Sequence, residues 1–491
     1  NIVYGSDNVS QKLAVDHNRR YVGTKETIGY VLYDSSKTIN IEAYSQRFML
    51  DVVKISFIKQ SQIELINGIW DIINDGLIGI MVDKTRTRIG KFRPYLLAFA
   101  IPCTLGSIFY WLTPMFFGPN PENMAKFFYW LVLSVVNEAT GTFRSISDNG
   151  MLATITPNPN ERVRLISVAE VYSSLYENFP EWGFGILIDL INHKKVNIPL
   201  KNAFVNCGIF TTVLSSFLAI YFFLITKERI PQNVERPNFL QGFRSIVNNK
   251  PMLMVMLSEV LDALKISTNW NNYYVDVLGT ISIKTIVGLP GAPVSFLSYA
   301  YVNWAKRKFS TKSLWVVGQH MINVLDLGVF LVGSIGGRGS KGLFRNPRVM
   351  IPVLMFKEVG RMSVLSLKKI IPREIFNECM DYCEWVNGYR SEGMTIAAKD
   401  MIRKIVNRAI SVFNTLMMKR IGYSLSADFG GQSDSTKYWI FVLCTLLPTA
   451  TSIFSVIPKL CYSLGADKRE IMYKELSERR EHLRLSLGET E

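Results

Sequence analysis

Three long stretches of the chain carry no charged side chain, and each is long enough to cross a lipid bilayer. They are Tyr95–Phe117, Ala203–Thr226 and Tyr438–Pro458. A bilayer core of roughly 30 Å requires about 20 apolar residues in a helix. Because the stretches are spread over all 491 residues, they predict an integral membrane protein rather than a series of soluble domains. The N-terminus is polar and charged through Thr27 and shows no pattern of a cleavable signal peptide.

The net charge of +15 would also fit a protein that binds nucleic acid. That function requires basic residues clustered on a soluble surface. Here they lie mostly between the apolar stretches, as the positive-inside rule predicts for cytoplasmic loops, so we expect no nucleic-acid partner.

Cys379 and Cys383 are four residues apart, but no second cysteine pair or nearby histidine completes a zinc site. We interpret them as small buried hydrophobic residues.

The apolar pattern predicts an all-α membrane protein with twelve transmembrane helices in two six-helix halves. The predicted helices cover 27–50, 58–82, 95–117, 126–151, 164–190, 202–227, 251–276, 283–304, 313–335, 347–367, 388–420 and 437–463. A long polar stretch separates six helices from six, which is typical of two related halves around a central site. We predict an N-terminal half (1–226), a cytoplasmic middle loop (227–250), a C-terminal half (251–463) and a helical cytoplasmic tail (464–491). Both termini are then expected in the cytoplasm.

Several predicted membrane helices contain ionisable residues. They are Glu259, Asp262 and Lys265 in the seventh helix, Asp326 in the ninth, and Lys357, Glu358 and Arg361 in the tenth. Charged groups at membrane depth are unfavourable unless they face a water-filled cavity or one another. The pattern therefore favours a transporter or channel over a passive anchor. We interpret His320, alone in the ninth helix, as a packed core residue rather than a proton relay.

The second predicted helix contains a compact polar cluster. Asp71 and Asp75 are four residues apart, with Asn74 between them, and helical geometry places these positions on one face. Carboxylate and amide oxygens suit a hard cation, and carboxylates also bind a proton. The cluster predicts a cation-binding site inside the bilayer. The alternative is a structural polar pair bound to basic residues of neighbouring helices.

The end of the same helix is predicted to form a gate. Asp83 is followed by a basic run that includes Arg86 and Arg93. A carboxylate that pairs with a neighbouring cation in one conformation only would control access from that side of the membrane. The basic run also sets the topology, and the two functions are compatible.

The stretch WDIIND followed by GIMVDKTRTRIGKFRPYLL, within Gly68–Leu97, resembles the second helix and following loop of the melibiose permease family. These are the glycoside–pentoside–hexuronide:cation symporters of the major facilitator superfamily. Arg144–Arg162, Met380–Lys404 and Lys437–Arg480 resemble later parts of the same family, so the resemblance spans nearly the whole chain. It implies cation-coupled symport of a glycoside, uronide or related small solute by alternating access in the cell membrane. It implies Na+ or H+ as the coupling ion, and no other cofactor.

The resemblance also assigns individual residues. The family's sodium site matches Asp71, Asn74, Asp75 and Ser145, the last standing where melibiose permease has threonine. A sugar-binding aspartate of the fourth helix matches Asp148. A lysine of the eleventh helix that links the cation and sugar sites matches Lys404.

The departures from the family concern the solute. Ser36 stands where the family has a second sugar-binding aspartate, with Asp34 two residues earlier, and Glu170 replaces a sugar-contacting arginine. Arg144 is an additional cation one turn before Asp148. Its guanidinium either faces the cavity, where it would suit a carboxylate or sulfate group, or pairs with Asp148 along the helix. We therefore expect simple galactosides to be poor substrates, and an acidic or otherwise modified glycoside to be better.

Two other functions are alternatives to the transport of a small polar solute. A transporter of lysolipids or other amphiphiles in the same superfamily would require an apolar cavity with a lateral opening. A membrane-embedded enzyme would require catalytic residues, but the sequence contains no Ser–His–Asp grouping, metal-ligand spacing or phosphate-binding glycine loop. We expect that the protein is not an enzyme.

Overall fold

The computed structural model describes residues 21–85, 87, 92–156, 159–176, 178–229, 247–387 and 392–486. Its elements are helices, as predicted for an all-α protein. The chain divides into two compact units, Asn1–Lys59 with Ile66–Glu235 and Gln60–Leu65 with Arg236–Glu491. Glu64, which belongs to the second unit, accepts hydrogen bonds from Ser411 (3.2 Å) and Thr415 (2.9 Å).

The helices of the first unit alternate with short connections. They are α1 (Thr24–Thr38), α2 (Phe57–Lys84, apart from Gln60–Leu65), α3 (Arg93–Phe116), α4 (Met124–Thr154), α5 (Pro159–Tyr176), α6 (Asn178–Asn192) and α7 (Leu200–Ile225). Three short helical turns fill the interval between α1 and α2, namely Glu42–Tyr44, Ser45–Arg47 and Phe48–Val53. Helix α1 packs against α5 and α7, and α3 packs against α4 and α7.

The second unit contains more interrupted helices. They are α8 (Lys250–Ala263), α9 (Ile283–Gly288), α10 (Gly291–Lys308), α11 (Thr311–Gly333), α12 (Pro347–Ser363), α13 (Leu365–Asn387), α14 (Glu392–Arg420), α15 (Asp434–Cys444), α16 (Leu446–Ser452), α17 (Val456–Leu460) and α18 (Ala466–Ser486). Short turns at Trp270–Asn272 and Tyr273–Val277 lie between α8 and α9, and Ile453–Ser455 joins α16 to α17.

Five helical segments within the described residues are long and apolar enough to cross a bilayer. They are Arg93–Phe116, Leu200–Ile225, Ile283–Lys308, Thr311–Gly333 and Asp434–Leu460. Other long helices, such as α2 and α14, contain more ionisable residues. Such residues lower the mean hydropathy of a helix but suit the interior of a transporter. The count of twelve transmembrane helices stays a prediction.

The sequence predicts a single helix over 27–50, but α1 ends at Thr38. Side chains bind the last carbonyl groups of α1: the Thr38 hydroxyl donates to the Ser35 carbonyl (2.8 Å), and the Asn40 amide donates to the Lys37 carbonyl (2.7 Å). Such local hydrogen bonds compete with continuation of the helix.

A buried lysine anchors the turns that follow α1. Lys126 of α4 is only 1% exposed. Its ammonium donates to the carbonyl groups of Val53 (2.7 Å), Lys54 (3.2 Å) and Asn120 (2.9 Å). An ammonium has three N–H donors, so these carbonyls use all of them. The charge is therefore solvated by the backbone instead of by water.

The predicted seventh helix, 251–276, is interrupted over 264–269. Side chains of other helices bind the peptide groups of this non-helical segment. The N–H of Ile266 donates to the Thr451 hydroxyl (3.2 Å), and the N–H of Ser267 donates to the Asn414 side-chain oxygen (3.1 Å). Irregular backbone inside a membrane protein requires such partners, and the apolar pattern of one helix does not reveal them.

The sequence predicts one helix over 347–367, but the structure has two helices in this region. Helix α12 ends at Ser363, and after a break at Val364 helix α13 continues to Asn387. The sequence did not predict α13 as a helix because its charged residues interrupt the apolar pattern. Its buried face repeats every four residues: Leu367, Ile371, Ile375, Cys379 and Cys383. The two cysteines are thus part of a hydrophobic helix face. The predicted tail helix is observed as α18.

The core of the first unit joins α1, α3 and α7 through aromatic and glycine contacts. The Tyr33 ring stacks on Phe222 at 4.7 Å between ring centroids. A Cβ atom built on Gly208 of α7 would lie 2.3 Å from the Trp111 ring of α3. The close approach of these two helices therefore requires glycine at position 208.

We predict that Gly208→Ala lowers the melting temperature of the purified protein in detergent. The Trp111 ring must move to accommodate the methyl group, and overpacking of this kind costs about 1–3 kcal/mol. Gly183→Ala is the control, because no atom lies within 4 Å of a Cβ at Gly183 and alanine favours a helix. Equal melting temperatures for the two variants would contradict the packing described here.

Candidate functional site

The first unit contains a cavity of about 620 Å³ between α1, α3, α4 and α7. Its charged and amide lining residues are Lys37, Asn40, Glu42, Asn137 and Arg144. Its hydroxyl-bearing lining residues are Ser36, Ser45, Thr104, Ser107, Tyr110, Thr140, Thr211, Thr212, Ser215 and Ser216. A wall of this composition can donate and accept many hydrogen bonds, as a polyhydroxylated solute requires.

A charged cluster lies at the wall formed by α1 and α4. The Tyr33 hydroxyl donates to Asp148, and the Lys37 ammonium lies 3.2 Å from the other oxygen of Asp148. Lys37 also lies 3.5 Å from Asp34 and 4.5 Å from the centroid of the Tyr33 ring. The carboxylate of Asp148 is therefore bound by two residues of α1.

Sequence reasoning missed Tyr33 and Lys37. The available signal was their spacing, because Lys37 follows Tyr33 by four residues and Asp34 by three. Residues at these intervals share one face of a helix. A lysine on the same face as an aspartate in a membrane helix is a candidate for a buried ion pair.

Arg144 lies on the cavity wall, with its guanidinium carbon 5.8 Å from the centroid of the Tyr33 ring. Of the two orientations considered from the sequence, the structure thus has the one in which Arg144 lines the cavity. The ion pair of Asp148 is with Lys37 rather than with Arg144. The Tyr33 side chain restricts the position of the guanidinium, which also interacts with the Tyr33 hydroxyl and electrostatically with Asp148; the guanidinium has five N–H donors in all.

The surroundings of Ser36 and Asp34 differ. Ser36 stands at the position of the family's second sugar-binding aspartate, and Asp34 lies two residues before it. Ser36 is 1% exposed and contributes to the cavity lining, and its hydroxyl donates to the Tyr33 carbonyl (2.6 Å). Asp34 accepts a hydrogen bond from Ser173 of α5 (3.2 Å). Ser36 is therefore the cavity residue of the two, and Asp34 connects α1 to α5.

The predicted cation-binding residues of α2 are buried within the first unit. Asp71 and Asn74 are 2% and 3% exposed, and Asp75 is partly buried. The Asn74 amide donates to the Thr142 hydroxyl (3.1 Å), which donates to Asp75 (3.3 Å). The structure thus brings the polar face of α2 together with a hydroxyl of α4.

The resemblance implied a hydroxyl ligand from Ser145, but its side chain is exposed. Thr142, three residues earlier on α4, supplies the hydroxyl that contacts α2. Sequence reasoning missed Thr142 because motif alignment assigns one position. The rotation of α4 about its axis determines which hydroxyl faces α2.

Arg93, one of the predicted gate residues, begins α3 and contacts the end of α7. Its guanidinium donates to the Phe223 carbonyl (3.0 Å) and lies 4.8 Å from the centroid of that ring. Its backbone N–H donates to the Glu228 carboxylate (2.6 Å). In this structure Arg93 therefore fixes α3 to the end of α7.

The remaining predicted site residues are Lys404, Asp83, Arg86 and Glu170. Lys404 is partly buried in α14 of the second unit. Arg86 lies outside the described residues, as do the side chains of Asp83 and Glu170. The predicted functions of these residues stay predictions.

Buried carboxylates, paired cations and a polar cavity inside apolar helices define a multi-pass membrane transporter. Residues 29–466 match the family described as MFS/sugar transport protein. The chain belongs to this family of major facilitator transporters. Its members transport small molecules and are not enzymes, as the sequence predicts.

Relatives with transport functions match nearly the whole chain. The putative 2,3-dihydroxypropane-1-sulfonate exporter of Escherichia coli (strain K12) is 26% identical over 92% of this chain and 95% of its own length. The putative sulfoquinovose importer of Salmonella typhimurium is 23% identical over 89% of this chain and 88% of its own length. A crystal structure of a point mutant of the nucleoside transporter NupG superposes with a TM-score of 0.56 at 12% identity, over 90% of this chain and 99% of that one. This last similarity shows the fold.

We predict that Thr142→Val weakens the stabilisation of the purified protein by Na+ or by acidic pH. The variant lacks the hydroxyl that contacts Asn74 and Asp75 of α2. Loss of one such hydrogen bond costs about 1 kcal/mol of stabilisation. Ser145→Ala is the control for loss of a hydroxyl one turn away. The measurement is the cation-dependent shift in melting temperature, and a larger effect of Ser145→Ala would show that Ser145 is the ligand.

Proposed function

We propose that the protein is a secondary active transporter that couples the movement of an anionic, polyhydroxylated solute to a cation. The observation that carries the proposal is the position of Arg144 on a hydroxyl-lined cavity. We propose symport by alternating access, with Na+ or H+ as the coupling ion, in a cell membrane with both termini cytoplasmic.

Arg144 is the residue best suited to bind the anionic group. Its planar guanidinium can form two parallel hydrogen bonds with a carboxylate or sulfonate. Asp148 is in direct contact with Tyr33 and Lys37, whereas Arg144 interacts with the Tyr33 hydroxyl and, electrostatically, with Asp148. An anionic solute would therefore add a second negative partner to a guanidinium that forms no direct ion pair with Asp148.

The rest of the lining favours a small polar solute over a lysolipid. Hydroxyl and amide groups of α1, α3, α4 and α7 surround the cavity, among them Ser36, Asn137 and Ser215. Hydroxyl groups of a glycoside or of a short polyol chain would replace water at these positions. An amphiphile would require an extended apolar wall.

The two relatives support an anionic solute. One is named for 2,3-dihydroxypropane-1-sulfonate and the other for sulfoquinovose, and both names describe a solute with a sulfo group. Arg144 and the departure from the family aspartate at Ser36 fit a solute of this kind better than a neutral galactoside. We propose sulfonated or carboxylated sugars and polyols as the substrate class.

We propose that the coupling cation binds at the polar face of α2. Asp71, Asn74 and Asp75 supply oxygen atoms, and Thr142 supports them from α4. Coupling requires that solute and cation each bind more tightly when the other is present. By resemblance, Lys404 links the two sites.

Arg144→Gln removes the guanidinium but keeps a polar side chain in the cavity. We predict that the affinity for 2,3-dihydroxypropane-1-sulfonate or sulfoquinovose falls roughly ten- to a hundredfold, because a charged hydrogen bond contributes about 1.5–3 kcal/mol. Binding is measured by calorimetry, and transport by counterflow in vesicles. Arg164→Gln, an exposed arginine of α5, is the control. Tighter binding of melibiose than of either sulfonate by the wild-type protein would overturn the proposed substrate class.

Asp75→Asn removes one charge from the α2 cluster and nearly preserves the volume of the side chain. We predict that uphill accumulation is lost while solute exchange at equilibrium continues, because the solute cavity keeps its residues. Accumulation and counterflow are measured in the same vesicles, and Asp71→Asn is tested in parallel. Full cation-stimulated accumulation by both variants would refute the cation site.

A further inference from the structure

The cavity of the first unit has charges of opposite sign at its two ends. The charged residues that line it are Lys37, Glu42 and Arg144. The Lys37 ammonium lies 3.2 Å from Asp148 and 3.5 Å from Asp34, so carboxylates of the wall compensate its charge. The other two charged lining residues are Arg144, which is positive, and Glu42, which is negative.

The register of α3 against α4 places these two charges at different levels of the cavity. The two helices are consecutive and joined by a short connection, so they run antiparallel. The Asn137 amide donates to the Gly106 carbonyl (3.5 Å), which brings these two positions to the same level. Arg144 follows Asn137 by seven residues along α4. Tyr110 follows Gly106 by four residues along α3, which leads in the opposite direction. At a rise of about 1.5 Å per residue, the backbones at Arg144 and Tyr110 are about 16 Å apart along the helix axes.

Side-chain interactions agree with this register. Cys103 precedes Gly106 by three residues and interacts electrostatically with Arg144. Tyr110, on the other side of Gly106, interacts electrostatically with Glu42. The guanidinium of Arg144 and the carboxylate of Glu42 therefore face the cavity from opposite ends.

The turn that carries Glu42 is fixed to the rest of the first unit. The N–H of Glu42 donates to the Asn40 side-chain oxygen (2.8 Å). Two residues later, Tyr44 is 2% exposed and its hydroxyl donates to the Glu181 carbonyl (2.7 Å). Glu42 itself is exposed. The backbone and the Tyr44 side chain thus hold the turn, and the position of the Glu42 carboxylate at the end of the cavity follows from them.

We propose that Arg144 and Glu42 together orient the solute and select for a single negative charge. The anionic group binds at Arg144, and the uncharged end of the solute lies beside Glu42. This orientation rests on the transport function proposed above, and it narrows the substrate class to monoanionic sugars and polyols. A solute with an anionic group at each end would place its second charge beside the Glu42 carboxylate.

The separation of the two residues determines how strongly Glu42 acts on each end of the solute. Mobile ions screen exposed charges over about 8–10 Å at ordinary ionic strength, so Glu42 repels an anionic group held at Arg144 only weakly. A second anionic group would lie closer to Glu42, where the Coulomb repulsion is larger. A hydroxyl group at the same position can instead donate a hydrogen bond to the carboxylate. Glu42 thus favours a hydroxyl group over a second carboxylate.

Gluconate and glucarate are a matched pair of probes for this selection. They are open-chain sugar acids of the same length. Gluconate has one carboxylate and a hydroxyl group at its other end, whereas glucarate has a carboxylate at each end. We expect the wild-type protein to bind gluconate about tenfold more tightly than glucarate. In Glu42→Gln this preference should fall roughly three- to tenfold, because the repulsion is removed and a polar side chain is kept. Binding is measured by calorimetry on the purified protein in detergent.

A charge reversal and a control variant extend the measurement. Glu42→Lys places a cation beside the second carboxylate, so we expect this variant to bind glucarate more tightly than gluconate. Glu122→Gln is the control, because it makes the same change in net charge as Glu42→Gln. The Glu122 side chain is 70% exposed and lies 3.0 Å from Lys59, and Glu122 is not among the described residues that line the cavity. Exposed ion pairs contribute little to stability, and we expect the wild-type preference in this variant.

The outcomes separate this selection from the proposed function. If the wild type, Glu42→Gln and Glu42→Lys share one ratio of gluconate to glucarate affinity, Glu42 does not select the solute and the assignment is wrong. The proposed function then stands, because gluconate still binds. If Glu122→Gln changes the ratio as much as Glu42→Gln, the effect comes from overall charge and the role of Glu42 is overturned. A wild type that binds melibiose, but neither gluconate nor 2,3-dihydroxypropane-1-sulfonate, would instead refute the proposed substrate class.

Discussion

The absence of water from the hydrocarbon core imposes one requirement on the whole structure. Every polar group inside the helical bundle must find its partner in the protein. Lys126 meets this requirement with three backbone carbonyl groups, and Asp326 meets it with Lys357. The non-helical segment 264–269 meets it with side chains of neighbouring helices. These partners hold turns, helix breaks and helix pairs together where apolar packing alone has no directional preference.

The same requirement makes the functional residues recognisable. A charge kept at membrane depth is unfavourable unless it is compensated by a partner or by the water of a cavity. In the first unit, Asp148 is compensated by Lys37, and Arg144 lines the cavity. In the second unit, Lys459 is compensated by Asp262. If an anionic solute binds at Arg144, as we propose, the charge balance of the first unit changes, and a change of this kind can drive a conformational transition.

The placement of candidate residues was predictable where the relevant contacts lie within one helix. Asp71, Asn74 and Asp75 share a face of α2 because of helical periodicity alone, and the structure buries two of them. The hydroxyl that contacts them in the structure belongs to Thr142, because the rotation of α4 against α2 is a property of packing; the cation ligand that the resemblance assigns to Ser145 stays a prediction. For the same reason, periodicity did not reveal the interruption at 264–269.

The sequence by itself determined the class of protein, the family and the polar face of α2, because these depend on local composition, spacing and motif. Only the tertiary structure decided that Lys37 rather than Arg144 pairs with Asp148. Only the tertiary structure brought His320 and Asp262 to Lys459, which lie 139 and 197 residues away along the chain. Contacts between helices depend on how the helices rotate and approach one another. That arrangement results from the packing of all side chains together, and no single stretch of sequence specifies it.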